Sequence, residues 1–293
     1  MNIFFIYDFF LTSGCAGIYA LTGNTDWSIT NNKVYQTATR TFTAAGTMSG
    51  IYFVNSTYGN NIQITGNTVG YASNSATGTL TLTGSAIAGV FQGIYMQAMN
   101  AAANTCNVNF NVVSDISFTS ASGAFTGIYN NTGATSNTIN INSNQIKNIA
   151  TITTTGTVQG IYAGSATNLN CSSNTIDGIS RNISGNFYPV RYNAPTNIIF
   201  DGNTIKNIAF NNTGTTTTFY AVYSSGSGVN ETFTNNNIYN ISSTATGAQS
   251  IYGWYSTSAT GIRTVQNNKI YNITAAVGSA VIYGMRINKG STN

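Results

Sequence analysis

Histidine is absent from the 293 residues of this chain. That removes every mechanism needing an imidazole as base or ligand. Charge is nearly as scarce. Asp, Glu, Lys and Arg make up 5% of the residues, against about 25% in ordinary globular domains. Coiled coils and long-helix proteins, which are rich in those residues, are excluded. The net charge is +4. The basic residues are scattered without a cluster, so no nucleic-acid surface is expected. The three cysteines, Cys15, Cys106 and Cys171, are too few and odd in number for a disulfide framework. They fall in apolar repeat slots, where Cys acts as a small hydrophobe. Disorder does not follow from the low charge. Hydrophobic residues reach 42% and aromatics 12%, enough to bury a core.

The segment Met1–Leu11 is apolar. It has no Lys or Arg before the apolar run and carries Asp8 inside it, unlike a secretory signal. It is also too short to span a bilayer. Ile3 and Ile6 instead share an Ile-x-x-Ile spacing with the repeats, so the segment is read as part of the fold.

Those repeats dominate the sequence. Gly-Ile-Tyr occurs at 17–19, 50–52, 93–95, 127–129 and 160–162, with degenerate copies at 189–191, 221–223, 250–252 and 281–283. The central Ile or Val recurs every 29 to 34 residues, with one step of 43. A second motif, Asn-x-(Ile/Val)-x-x-Ile, interleaves with it. Its Asn stands at Asn32, Asn67, Asn111, Asn144, Asn174, Asn203, Asn236 and Asn268.

Each unit holds short Ile-, Val-, Tyr-, Phe- and Thr-rich segments separated by Gly, Asn, Ser and Thr. These are strand and turn signals. The predicted fold is all-β: a parallel β-helix of about nine coils of roughly 30 residues, one domain over 1–293. At about 4.8 Å per coil the rod is roughly 43 Å long. A propeller needs longer units of about 40 to 50 residues. Stacked coils superpose the recurring Asn, predicting an internal amide ladder at a bend where Asn tolerates left-handed angles. The variable stretches, 70–89 the longest, are expected as loops on one side of the rod. Capping units with polar outer faces, which solenoids normally need, are missing. The chain is therefore expected to be a fragment flanked by further domains of the same polypeptide.

The interleaved Gly-Ile-Tyr and Asn-x-Ile-x-x-Ile units resemble right-handed parallel β-helix repeats of the pectate-lyase-like superfamily. The Asn-, Thr- and Ser-rich, charge-poor style resembles secreted or surface repeat proteins of Bacteroidota-type bacteria. The resemblance implies a secreted or cell-surface location. It also raises polysaccharide lyase or glycoside hydrolase activity as the alternative to a structural role.

The chemistry for catalysis is thin. Glycoside hydrolysis uses two carboxylates about 5 to 9.5 Å apart. Of Asp8, Asp26, Asp115, Asp177, Asp201 and Glu231, no two are adjacent in sequence. Asp177 and Asp201 lie in neighbouring coils but at different coil positions, and each is read as a turn residue beside Gly178 or Gly202. A calcium-dependent lyase would need several acids around the ion, and six over nine coils do not supply them. No catalytic residue, metal or cofactor is assigned, and no membrane span.

One row could bind. Tyr19, Tyr52, Tyr95, Tyr129, Tyr162, Tyr223, Tyr252 and Tyr283 follow the inward Ile or Val and are placed in one stacked row on the outer face. Arg191 takes one rung. Such rings suit a polysaccharide or cell-surface glycan, although self-stacking is the stronger reading. Phe91, Phe125, Val158, Phe187 and Phe219 could pack there too. Ice binding is not expected, because the residues after the ladder Asn do not form a Thr row. The expected function is a non-catalytic extracellular stalk, adhesin or spacer, with weak glycan binding.

Overall fold

The computed structural model describes residues 4–6, 14–23, 26–55, 60–98, 105–131, 138–153, 155–164, 166–182, 185–211, 217–226, 229–258, 260–276 and 279–288. Of the amino-terminal run, Phe4–Ile6 forms a strand paired with Lys33–Tyr35. Ile3 and Asp8 lie outside the described residues. No described helix is long and apolar enough to cross a membrane.

Among the described residues every strand pairing is parallel, and the strands stack into three faces of a right-handed β-helix. The tyrosine face holds nine strands, from Cys15–Ala20 through Val90–Ala98 to Val281–Ile287. The amide face holds eight, from Ser28–Thr30 to Arg263–Gln266. The third face follows a path of nine, from Phe4–Ile6 to Lys269–Ala275, with two strands added beside it. Nine strands on one face match the repeat count, and about seven turns are complete.

One added strand corrects an expectation. The long 70–89 stretch is not simply a loop. Within it Leu80–Thr83 pairs with Ile116–Phe118 of the third face, and Leu80 and Leu82 are fully buried. Their alternation with Thr81 and Thr83 is enough to nucleate a strand. The variable stretches after the Ile-x-x-Ile motif likewise begin inside third-face strands, such as Gln145–Thr153 and Thr204–Asn211.

The interior is rows of like residues. Ile51, Ile94, Ile128 and Ile161 stack in register on the tyrosine face. Val113, Ile146, Ile176, Ile205 and Ile238 do so on the third face. Burying each such side chain contributes roughly 1.5–3 kcal/mol. Phe91, Phe125, Val158, Phe187 and Phe219 also lie in this core, not against the tyrosine row. In three coils the cause is the glycine before the Ile, at Gly93, Gly127 and Gly160, and Pro189 and Ala221 take that slot before Val190 and Val222. A Cβ at Gly93 would stand 2.5 Å from Gly127 O and 2.8 Å from a Val113 methyl. The chain bends into the core there, so alternation breaks and both flanking side chains point inward.

The Asn ladder is continuous through all eight positions. Asn144 is typical. Its Nδ2 donates to Asn174 Oδ1 (3.0 Å) and to Val108 O (2.7 Å). Its backbone N–H donates to the same Asn174 oxygen at 2.9 Å. Its own Oδ1 accepts from Asn111 N and Nδ2. The same pattern runs from Asn32 to Asn268. The left-handed angle expected of these Asn sits one residue earlier. Asn31, Gly66, Phe110, Ser143, Ser173, Gly202, Asn235 and Asn267 have φ between 55° and 70°. The preceding residue makes the bend, and the ladder Asn satisfies the backbone groups the bend would strand in the core.

Candidate functional site

The tyrosine face is built by Gly-Ile-Tyr. Gly brings the chain close to the core, Ile buries, and Tyr turns outward. Tyr19, Tyr52, Tyr95, Tyr129 and Tyr162 stack with ring centroids 4.7 to 5.3 Å apart and planes within 14°. Arg191 follows in register. Its guanidinium lies over Tyr162 at 5.6 Å and Tyr223 at 5.7 Å, so the cation fills the missing ring's place.

The row then departs from the sequence reading. Tyr252 pairs with Tyr220, not Tyr223, and Tyr283 pairs with Tyr252. Tyr223 is followed by Tyr255 and then Arg286. Tyr252 and Tyr283 thus belong to a second row with Tyr188 and Tyr220. Gly is the register mark. Gly253-Trp254-Tyr255 is the true copy of the motif, and a Cβ at Gly253 would meet Gly284 O at 2.5 Å. Ser250-Ile251-Tyr252 imitates it without the Gly.

The two ends of this face differ. Towards the amino terminus the second row is polar: Ser49, Gln92, Thr126 and Gln159. A groove of about 370 Å³ runs there, lined by Cys15, Ser49 and Gln92 beside Tyr19, Tyr52 and Tyr95. Towards the carboxyl terminus both rows are aromatic. Arg286 lies between 5.6 and 5.8 Å from Tyr252, Tyr255 and Tyr283.

Self-stacking decides what the row can offer. Ring faces are used against neighbouring rings, so edges and hydroxyls are what reach solvent. Tyr95 OH donates to Gln97 Oε1 and accepts from Asn131 Nδ2. Tyr19, 62% exposed, is the most open ring of the row. Burial, followed by neighbouring tyrosines, raises the phenol pKa of Tyr52 and Tyr129. These hydroxyls stay protonated at neutral pH and act as neutral donors and acceptors.

The acids are not brought together. Asp177 projects from a third-face strand and pairs with Lys206 at 3.2 Å. Asp201 belongs to the amide face and accepts from Thr234 and Asn235. Asp115 accepts from Ser114 and Asn148, and Asp26 from Asn61. Glu231 is turned inward, 2% exposed. It continues a core row of Cys106, Ile139, Leu169 and Ile198, and Arg263 continues it further. Arg263 Nε donates to Glu231 Oε2 at 2.8 Å, Ser256 to the same oxygen, and Tyr192 to Oε1. Sequence reasoning missed this ion pair. The available signal was parity, because Glu231 lies two residues before the inward Phe233 and Arg263 two before Val265.

No group of three His, Cys, Asp or Glu side chains converges among the described residues. Cys106 and Cys171 are buried. Burial pushes the Cys15 thiol up to about 11 and the Cys171 thiol up to about 12, so neither is a nucleophile at neutral pH. Compared with known protein families, curated proteins and solved structures, the chain matches none.

Proposed function

We propose that this chain is a non-catalytic, extracellular β-helix segment serving as a stalk, adhesin or spacer, with weak glycan contact at its surface. The observation carrying this reading is the fate of the carboxylates. Each described one is engaged in a surface ladder, a turn or a buried ion pair, and Asp177 and Asp201, in neighbouring coils, sit on different faces. A pair poised for acid and base work needs one shared cleft. The groove beside Tyr19, Tyr52 and Tyr95 offers ring edges, Ser49 and Gln92 to a sugar, which suits weak contact.

Kinship with the pectate-lyase-like superfamily is part of the proposal. It rests on the right-handed parallel coil and the inner Asn ladder. A secreted or cell-surface location, in the style of Bacteroidota-type repeat proteins, and flanking domains of the same polypeptide complete it. The test is release of reducing ends or unsaturated products from a polysaccharide panel. The expected result is no product. Product formation lost on Asp177→Asn or Asp201→Asn would overturn the proposal.

A further inference from the structure

The amide face carries three outward rows with hardly any charge. In one, Asn230 Nδ2 donates to Asn197 Oδ1 (2.8 Å), and Asn197 Nδ2 to Asn168 Oδ1 (2.9 Å). In the next, Asn140 Nδ2 donates to Asn107 Oδ1 (2.7 Å), and Asn107 Nδ2 to Gln63 Oε1 (3.0 Å). All these side chains are half-buried or exposed. The single acid of the three rows, Asp201, is already bonded by Thr234 (2.6 Å) and Asn235 (2.7 Å).

A primary amide has two N–H donors and two acceptor lone pairs. At Asn107 and Asn197 the ladder consumes one donor and one lone pair, directed along the rod. One donor and one lone pair remain for solvent. The ladder also fixes the rotamer, so the entropy of ordering these groups is lost on folding and not on binding. The remaining groups repeat at about 4.8 Å, the strand spacing. The face is therefore a preorganised, periodic array that both donates and accepts.

We infer that this face is a second and larger glycan surface, fitted to a neutral, hydroxyl-rich polysaccharide lying along the rod; the inference rests on the glycan-contacting reading above. Hydroxyls donate and accept as the amides do. The absence of free charge gives an acidic polymer or a nucleic acid no electrostatic gain. The tyrosine face is poorer for this purpose, since its ring faces are spent on one another.

The test is co-sedimentation of the full chain with cellulose, chitin and an insoluble β-glucan, with polygalacturonate as the acidic control. Two variants charge the amide face: Asn140→Asp with Asn197→Asp, and Thr232→Lys, which lies on the same face. Tyr52→Ser alters the tyrosine groove, and circular dichroism checks each fold. The expected result is retention on a neutral polymer, a drop of about tenfold in both charged variants, and a much smaller drop in Tyr52→Ser. Loss in Tyr52→Ser alone would overturn this inference and leave the tyrosine groove as the glycan site. Preference for polygalacturonate, or retention on no neutral polymer, would also overturn it. Product release is scored separately, so failure of the non-catalytic reading shows as cleavage and failure of this inference as unbound intact chain.

Discussion

Two rows run the length of this rod and tolerate change very differently. At the inner bend, all eight rungs from Asn32 to Asn268 are Asn. On the tyrosine face, Arg191 and Arg286 replace two rings in register. The difference is one of burial and valence. An inner rung must accept from a backbone N–H and an amide, donate to a carbonyl and the next amide, and do so without water. Only Asn has that donor and acceptor set at that reach. An outer rung needs only a flat group that stacks, and a guanidinium between two rings qualifies. Sequence uniformity in this fold reports how many hydrogen bonds a slot must satisfy.

The largest loss of stability is expected from Asn174→Ala. It leaves buried donors on Asn144 and an acceptor at Ile141 O without partners. A loss of about 3 kcal/mol or more is expected, read from the midpoint of denaturant unfolding. Asn174→Asp, equal in size but lacking the donor, should also destabilise. Next is Gly127→Ala, which brings a Cβ within 2.6 Å of Gly160 O and 3.0 Å of an Ile146 carbon. Overpacking of this kind costs about 1–3 kcal/mol, and the same unfolding measurement checks it. The cost is local to this coil, because Pro189 and Ala221 occupy the same slot in two others.

A third effect sharpens the contrast through pH. Burial and the tyrosines around it push Tyr220 up to about 12 from an ordinary 10.0. A phenol with a raised pKa favours the folded state while protonated. Its contribution is therefore complete below pH 10 and is lost as pH rises towards 12. Unfolding curves across that window should show falling stability, with a smaller fall in Tyr220→Phe. The smallest effect should be at Arg191. Arg191→Ala is expected to cost about 0.5–1 kcal/mol, and Arg191→Tyr should change stability by less than about 0.5 kcal/mol. Thermal melts of the two variants test this.

The sequence carried the architecture because stacked coils repeat their burial pattern. The inner Asn row was legible in full, since each Asn stands three residues after an apolar one and two before another. The tyrosine row was legible up to Tyr223 and slipped at Tyr252 and Tyr283. There the Ile-Tyr pair imitates the motif, whereas packing obeys Gly253, and Trp254 occupies the Ile slot. The strand Leu80–Thr83 was hidden inside a stretch defined by its length alone. The Glu231–Arg263 pair was hidden because charged residues in alternating strands are first read as outward. The amide face was hidden by its composition. Asn and Thr read as turn residues until strand register lines them up.

The inner Asn side chains lock the coils, while the outer rows remain available to solvent. Hydrogen exchange of Asn side-chain amides, followed by NMR, tests it directly. Nδ2 protons of Asn111, Asn144, Asn174 and Asn203 are expected to exchange only with global unfolding, and those of Asn168, Asn197 and Asn230 to exchange rapidly in the folded state. Equal, fast exchange of both sets would contradict it.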